Sequence, residues 1–297
     1  MQALTRSWRS LRDTFRVFAR FGHAWLYPAS SFLVTLVLMF TLVIPMFERV
    51  LATAKDSRFE HWAVLFLAVY LSYAALYLVT AFANVAWVTA VTARLDRERH
   101  GPRVALGRAT GRIVWITAHT LVSATIGTLG FIIRIIVNPL FGMVIAPAIG
   151  KRLWERVQHL SYNVPLMMEI PVIALDRPPP RDAYRRGMAL VESTWGDGAR
   201  PAHGLGLPAS LLLLALTAFV AMPIVRHALV VDDPRELWRG LAVMTLTTST
   251  YLQLNGWTNT IFALGAYRYA AWDRSDLFPG DPTYAEHAFE RRQERER

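Results

Sequence analysis

The chain has 297 residues, 54% hydrophobic and 12% aromatic, with a mean hydropathy of +0.28 and a formal net charge of +10. It contains no cysteine, which excludes disulfides, thiolate nucleophiles and cysteine-ligated metals. Thirty of its 32 basic residues are arginines, set between apolar runs; this excess charge points to anionic lipid headgroups and not to nucleic acid, for which there is no stacking repeat or motif.

Residues 1–24 form a basic amphipathic segment. At about 100° per residue, Trp8, Leu11, Phe15, Phe18 and Phe21 share one arc of a helix and Arg6, Arg9, Arg16 and Arg20 the other. That pattern predicts a helix lying in the membrane plane, with Arg9, Arg16 and Arg20 on headgroups. A short helix packed on the bundle is the competing reading. Leu26 to Phe47 is uncharged and predicts the first span. Ala52-Thr53-Ala54 resembles a cleavage site, but Glu48 and Arg49 intervene after a span-length run, so the helix is read as retained.

From Trp62 to Ala93 there is no charge at all. Roughly 20 apolar residues cross a bilayer, and a soluble core helix would need a polar face that this run lacks. Further spans are predicted near 113–133, 157–175, 205–225 and 240–267. These are too long for barrel strands, and backbone groups in hydrocarbon must be satisfied internally. The fold class is therefore all-α: a polytopic transmembrane helical bundle of about six spans over 25–272, followed by a charged tail at 273–297. Residues 135–150, short and broken by Pro139 and Pro147, read as an interfacial or re-entrant element, with a seventh span as the alternative. The amino-terminal segment has five Arg and one Asp, the loop Arg94 to Arg112 six Arg and two acids, and Asp176 to His203 five Arg and four acids; this alternation puts both termini in the cytoplasm.

Leu95-Asp96-Arg97 and Pro102-Arg103-Val104-Ala105 are echoed by Leu175-Asp176-Arg177 and Pro180-Arg181-Asp182-Ala183. The echo predicts a parallel helix–elbow–helix duplication; chance similarity is its competitor. In the second elbow, Tyr184, Met188, Val191 and Trp195 line one helical face and Gly196 ends it. Arg185, Arg186 and Trp195 are read as headgroup contacts of an amphipathic helix on the inner leaflet.

Glu169 is the only carboxylate inside a predicted span, flanked by Pro165 and Pro171. It is a candidate proton or cation site, against a structural glutamate that is protonated or paired. Asn255 and Asn259 form a stripe with Tyr251 in the polar last span, with Asn84 as a candidate partner; such groups glue helices or line a wet cavity. His119 completes the polar set and reads as a hydrogen-bonded bundle histidine. Neither a catalytic constellation nor a phosphate loop is evident, so no metal, cofactor or enzymatic activity is expected.

Several short stretches together carry a resemblance: Ser7-Trp8, Ala81-Phe82-Ala83-Asn84-Val85-Ala86, Pro171-Val172-Ile173-Ala174-Leu175-Asp176, Ser193-Thr194-Trp195-Gly196-Asp197 and Ala266-Tyr267-Arg268-Tyr269-Ala270. The chain resembles a family of bacterial polytopic membrane proteins known only as a domain of unknown function. It has Asp176 where that family often has Glu, and Tyr162 where a Trp is expected. The resemblance implies six helices in a bacterial inner membrane, a layout similar to the membrane domain of some glycerophosphodiesterases, and no established activity. The expected function is a non-enzymatic scaffold or accessory subunit that binds anionic lipid, with a protein partner or a homo-oligomer compatible with the polar last span. The alternative is a transporter or lipid-handling protein with a site between the two repeats.

Overall fold

Glycine, proline and one arginine punctuate the helices. In the computed structural model the described residues are 12–13, 15–46, 59–98, 101–132, 164–176, 179–196, 200–201, 219–220, 223–224, 226–227, 234–277 and 289–290. The expected element at 135–150, Arg9, and most of the expected span at 205–225 lie outside them. A 3-10 turn, Gly22–Trp25, opens on Gly22 at φ 45, a left-handed value that suits a residue without Cβ. It leads into α1, Leu26–Leu38, which continues through a π turn at Met39–Val43.

Helix α2, Phe59–Leu95, has 37 residues and is rich in Ala and Leu, the strongest apolar helix formers. It stops at Arg97, φ 58, where Arg97 N–H bonds Arg94 O at 3.2 Å and Glu98 N–H bonds Ala93 O at 2.8 Å. This paired bonding satisfies carbonyls that the helix end would leave open. Pro102 then starts α3, Pro102–Thr110, the first elbow, which turns Ala105 and Ala109 inward. Helix α4 is Ile113–Ile132.

Helix α5, Val164–Leu175, carries Pro171 internally. The second elbow, α6, is Pro180–Trp195, with Pro at its first position and Gly196 at φ 90 ending it as the sequence predicts. Helix α7, Pro234–Trp272, has 39 residues and encloses the expected last span. The described residues are otherwise helical except for turns and a two-residue antiparallel bridge, Arg200–Pro201 with Phe289–Glu290.

Contacts at both ends fix the relative directions. Arg268 of α7 meets Asp96 beyond α2, and Gln253 meets Thr80 about four turns earlier on both helices, so α2 and α7 run parallel. Tyr77 meets His119 and Tyr70 meets Thr125, so α2 and α4 run antiparallel. Arg112 reaches Ala174 and His119 reaches Glu169, so α4 and α5 are antiparallel as well. One end of the bundle therefore collects the start of α1, the ends of α2, α5 and α7, and the start of α4.

The interior is apolar and closely packed. Trp87, Ile116, Met168, Ile173, Leu264 and Tyr267 are fully buried. Phe18 sets its edge against Trp87 (6.0 Å) and Trp257 (6.1 Å), a favoured aromatic geometry. The outside is also apolar: Leu33, Val37, Val64, Leu67, Leu71, Val114 and Val122 are exposed. Two helices, Gly22–Met46 and Phe66–Leu95, are long and apolar enough to cross a membrane, and a shorter apolar helix covers Ile113–Thr125.

Three expectations need correcting. Trp195 is buried against Tyr269 (6.0 Å), so its ring is covered by protein and not presented to headgroups. The inward face of α6 is Ala183, Gly187, Val191 and Trp195, with Tyr184 exposed and Met188 half-buried. The helix is rotated from the expected arc because the small Ala183 and Gly187 admit close approach, whereas Tyr184 does not. On the amino-terminal helix Val17 and Phe21 are buried and Phe18 packs on the core, while Phe15 is exposed. That apolar arc is shared between the protein and its surroundings.

Candidate functional site

Two polar clusters lie within the helix packing and a third closes one end. The first forms where α2, α4 and α5 meet. Glu169 and His119 are both buried, and His119 Nδ1 lies 2.7 Å from Glu169 Oε2. The other ring nitrogen, Nε2, is 3.4 Å from the Tyr77 hydroxyl. Tyr77 stacks on Tyr73, with centroids 6.1 Å apart, and lies 5.9 Å from the His119 ring. Farther along the same seam the Tyr70 hydroxyl and Thr125 Oγ1 are 3.0 Å apart.

Sequence reasoning named Glu169 and His119 separately but missed Tyr77. Its signal is the spacing of Tyr70, Tyr73 and Tyr77, which puts three phenols on one face of an otherwise apolar helix. With a proton on Nδ1, the imidazole donates to the carboxylate and is fixed in orientation; the tautomer is set by these neighbours. The three groups can hold a charge and pass a proton along hydrogen bonds.

The second cluster ties α1, α2 and α7. Gln253 is buried; its Oε1 accepts from Ser31 Oγ at 3.0 Å. Its Nε2 donates to Thr35 Oγ1 and Thr80 Oγ1, each at 2.9 Å. The buried polar stripe of α7 is thus Ser249, Gln253 and Thr260, spaced at i, i+4 and i+11. The expected stripe of Asn255 and Asn259 is only half-buried, and Asn84 is buried elsewhere on α2. Among the described residues none of these three asparagines bonds the His119–Glu169 pair or the Gln253 tie, so of the five polar residues expected from the sequence only His119 and Glu169 meet.

The third cluster lies at the end of the bundle. Arg268 is fully buried and forks onto Asp276, Nε to Oδ1 at 2.9 Å and Nη2 to Oδ2 at 2.7 Å. Nη2 also reaches Asp96 Oδ1 at 2.9 Å, and Arg274 meets the same oxygen at 2.8 Å. Burial alone would lower the Arg268 pKa, but bonds to Asp276 and Asp96 outweigh it and the net shift is upward. The neighbouring Tyr267 hydroxyl donates to Asp176, which also pairs with Arg186. Adjacent residues of α7 therefore grip the aspartates of the two echoed Leu-Asp-Arg blocks.

Three of the expected headgroup arginines, Arg16, Arg20 and Arg186, have protein partners here. Arg20 donates to the Asp276 carbonyl at 2.8 Å, which docks residues 273–277 with Leu277 buried; the tail begins as part of the bundle. Arg186 pairs with Asp176 yet stays half exposed, Arg16 lies 3.5 Å from Asp13 and is exposed, and Arg185 is exposed. Among the described residues no group of three His, Asp or Glu side chains could hold a metal ion.

The His119–Glu169 cluster and the Arg268 fork fall within one matched segment, whereas Ser31 and Thr35 of the Gln253 cluster and Arg20 precede it. No curated protein and no solved structure matches the chain. Residues 63–277 match the family of unknown function DUF6159, and over that span, more than two thirds of its length, the chain belongs to it.

Proposed function

We propose that this chain is an integral membrane protein of six crossings that serves as a non-enzymatic scaffold or accessory subunit in a bacterial inner membrane. One observation carries the reading: apolar surface faces outward and polar side chains turn inward. In the most apolar windows of the two long candidate spans only 22% and 24% of residues are buried, where the core helix of a soluble protein would be mostly covered. Their polar side chains Ser31, Thr35 and Thr80 instead meet Gln253 of α7. In hydrocarbon, packing and such interhelical bonds hold helices together.

Chain direction supports six crossings. Helix α4 leaves, and α5 returns, to the end where Arg112 meets Ala174. An additional crossing between them would reverse α5, which favours the interfacial reading of 135–150 over a seventh span. Helix α6 finishes at that same end, with Trp195 on Tyr269, whereas α7 begins at the far one. The apolar stretch 205–225 supplies the crossing between. The clustered arginines at the shared end suit anionic lipid on the cytoplasmic side. The parallel duplication, and the layout shared with the membrane domain of some glycerophosphodiesterases, belong to this proposal; the paired grips on Asp96 and Asp176 support the duplication.

The cysteine-free background permits a direct topology test. Ala183 is buried and unsuitable as a label site; Tyr184 beside it is exposed. Tyr184→Cys is expected to resist a membrane-impermeant maleimide in intact spheroplasts and to react in inverted vesicles. Labelling from outside would overturn the topology. For the function, purification in nanodiscs with mass spectrometry of co-purifying species is expected to return a stoichiometric protein partner. Recovery of the lone chain with a specific lipid or small molecule would instead favour a transporter or lipid-handling protein. The buried His119–Glu169 pair is the observation on the side of that second reading.

A further inference from the structure

We propose that His119, Glu169 and Tyr77 form an intramembrane binding site for a single exchangeable proton. The inference rests on the reading that α2, α4 and α5 lie in the bilayer, and on the geometry of three side chains from three helices. With neutral imidazole and ionised carboxylate, the pair carries one negative charge. An isolated charge in an apolar interior is costly, and a group there gains a proton or a counter-charge. The neighbouring charges are already engaged. Arg112, about two turns from His119, bonds Ala174 O; Asp176, about two turns from Glu169, is paired with Arg186 and Tyr267. On α2 the titratable neighbours are Tyr73 and Tyr77; α7 carries no charge from Gly240 to Tyr267, with Tyr251 and Tyr267 its titratable groups there; on α6, Asp182, Arg185 and Arg186 are exposed. One proton from water makes the pair neutral overall, as imidazolium with carboxylate or as imidazole with carboxylic acid.

The Tyr77 hydroxyl makes two proton states structurally equivalent. Toward neutral imidazole it donates to Nε2; toward imidazolium it accepts from Nε2–H, because a hydroxyl can do either. Nδ1–H donates to Glu169 in both. Uptake thus reverses one hydrogen bond without moving a heavy atom. The proton comes from the aqueous phase and returns to it, with no bond to carbon made or broken. Loaded, the pair is an ion pair or neutral couple joining α4 to α5; unloaded, it leaves a buried anion. Proton occupancy therefore controls how firmly those helices pack.

Infrared difference spectroscopy between acid and alkaline buffer tests this on the full chain in nanodiscs of phosphatidylethanolamine and phosphatidylglycerol. The wild type is expected to show one titrating step with carboxyl and imidazole bands. Glu169→Gln and His119→Gln, each checked for helix content and a single elution peak, should both abolish it. Tyr77→Phe should keep the step but alter its imidazole band, because Nε2 loses its phenol partner. Bands that persist in both pair variants, or a wild type without the step, overturn the proposal. If a pair variant fails to fold, an imidazole band unchanged in Tyr77→Phe overturns it equally. Release of the chain by alkaline carbonate would sink the membrane reading on its own, while the spectra would still report on the pair.

Discussion

Replacing Arg268 by Met is expected to be the most destabilising single change in the described part of the bundle, by about 2–3 kcal/mol. Met keeps the length and apolar stem of the side chain, so the loss isolates the charge. Removing one partner of a buried ion pair typically costs about 3–5 kcal/mol, chiefly because the remaining charge is stranded. Here the figure is lower for three reasons. Asp96 and Asp276 retain some contact with solvent, Asp96 keeps Arg274, and Arg268 Nη1 has no acceptor even in the native protein. Arg268→Lys should recover part of the loss, since an ammonium supplies charge but not the planar fork that takes both Asp276 oxygens. Unfolding by sodium dodecyl sulfate in mixed micelles measures the difference. The same variant should expose residues 273–277 to protease, because Leu277 is held in the core beside this fork and Arg20 alone would remain to dock it. Native-like resistance to both detergent and protease would refute the assignment of Arg268 as the closing tie.

Replacing Gln253 by Leu is expected to cost about 1–2 kcal/mol. The substitution nearly preserves volume, so packing changes little and the loss measures the tie itself. Three bonds are removed, yet the cost is not three times that of one. Thr80 already bonds Leu76 O at 3.1 Å, and Ser31 and Thr35 can turn back to carbonyls of their own helix. A bond inside the bilayer is also weighed against an unfolded state that finds partners of its own. A double-mutant cycle with Thr35→Val should show coupling of about 0.5–1 kcal/mol. Additive effects in the cycle would mean that the Thr35 bond contributes nothing to holding α1 on α7. Asn255→Leu and Asn259→Leu, at half-buried positions outside this tie, should each change stability by less than about 0.5 kcal/mol.

Much of the architecture was legible one helix at a time. The uncharged run that becomes α2, the elbows opened by Pro102 and Pro180, and the stop at Gly196 follow from local rules that need no neighbour. Glu169 stood out because a carboxylate in an apolar run is expensive wherever its partner lies. Trp195, by contrast, was misread because amphipathic periodicity gives the face but not what covers it. A tryptophan beside arginines fits a headgroup boundary, and it fits equally well the Tyr269 ring it meets. Arg20 shows the same ambiguity: an arginine on a polar arc serves a phosphate or a backbone carbonyl with the same donors.

By itself, the sequence determined that this chain is helical and apolar, where its elbows fall, and which ionisable group is out of place. These depend on side-chain chemistry read along one dimension. The tertiary structure alone decided that His119 and Tyr77 join Glu169, that Gln253 and not Asn255 or Asn259 binds three helices, and that Tyr267 and Arg268 grip the two echoed aspartates. Each of these joins residues from separate helices, and the partner is chosen by helix rotation and axial offset. Those two quantities are set by how small and large side chains interlock across an interface, which no single helix encodes.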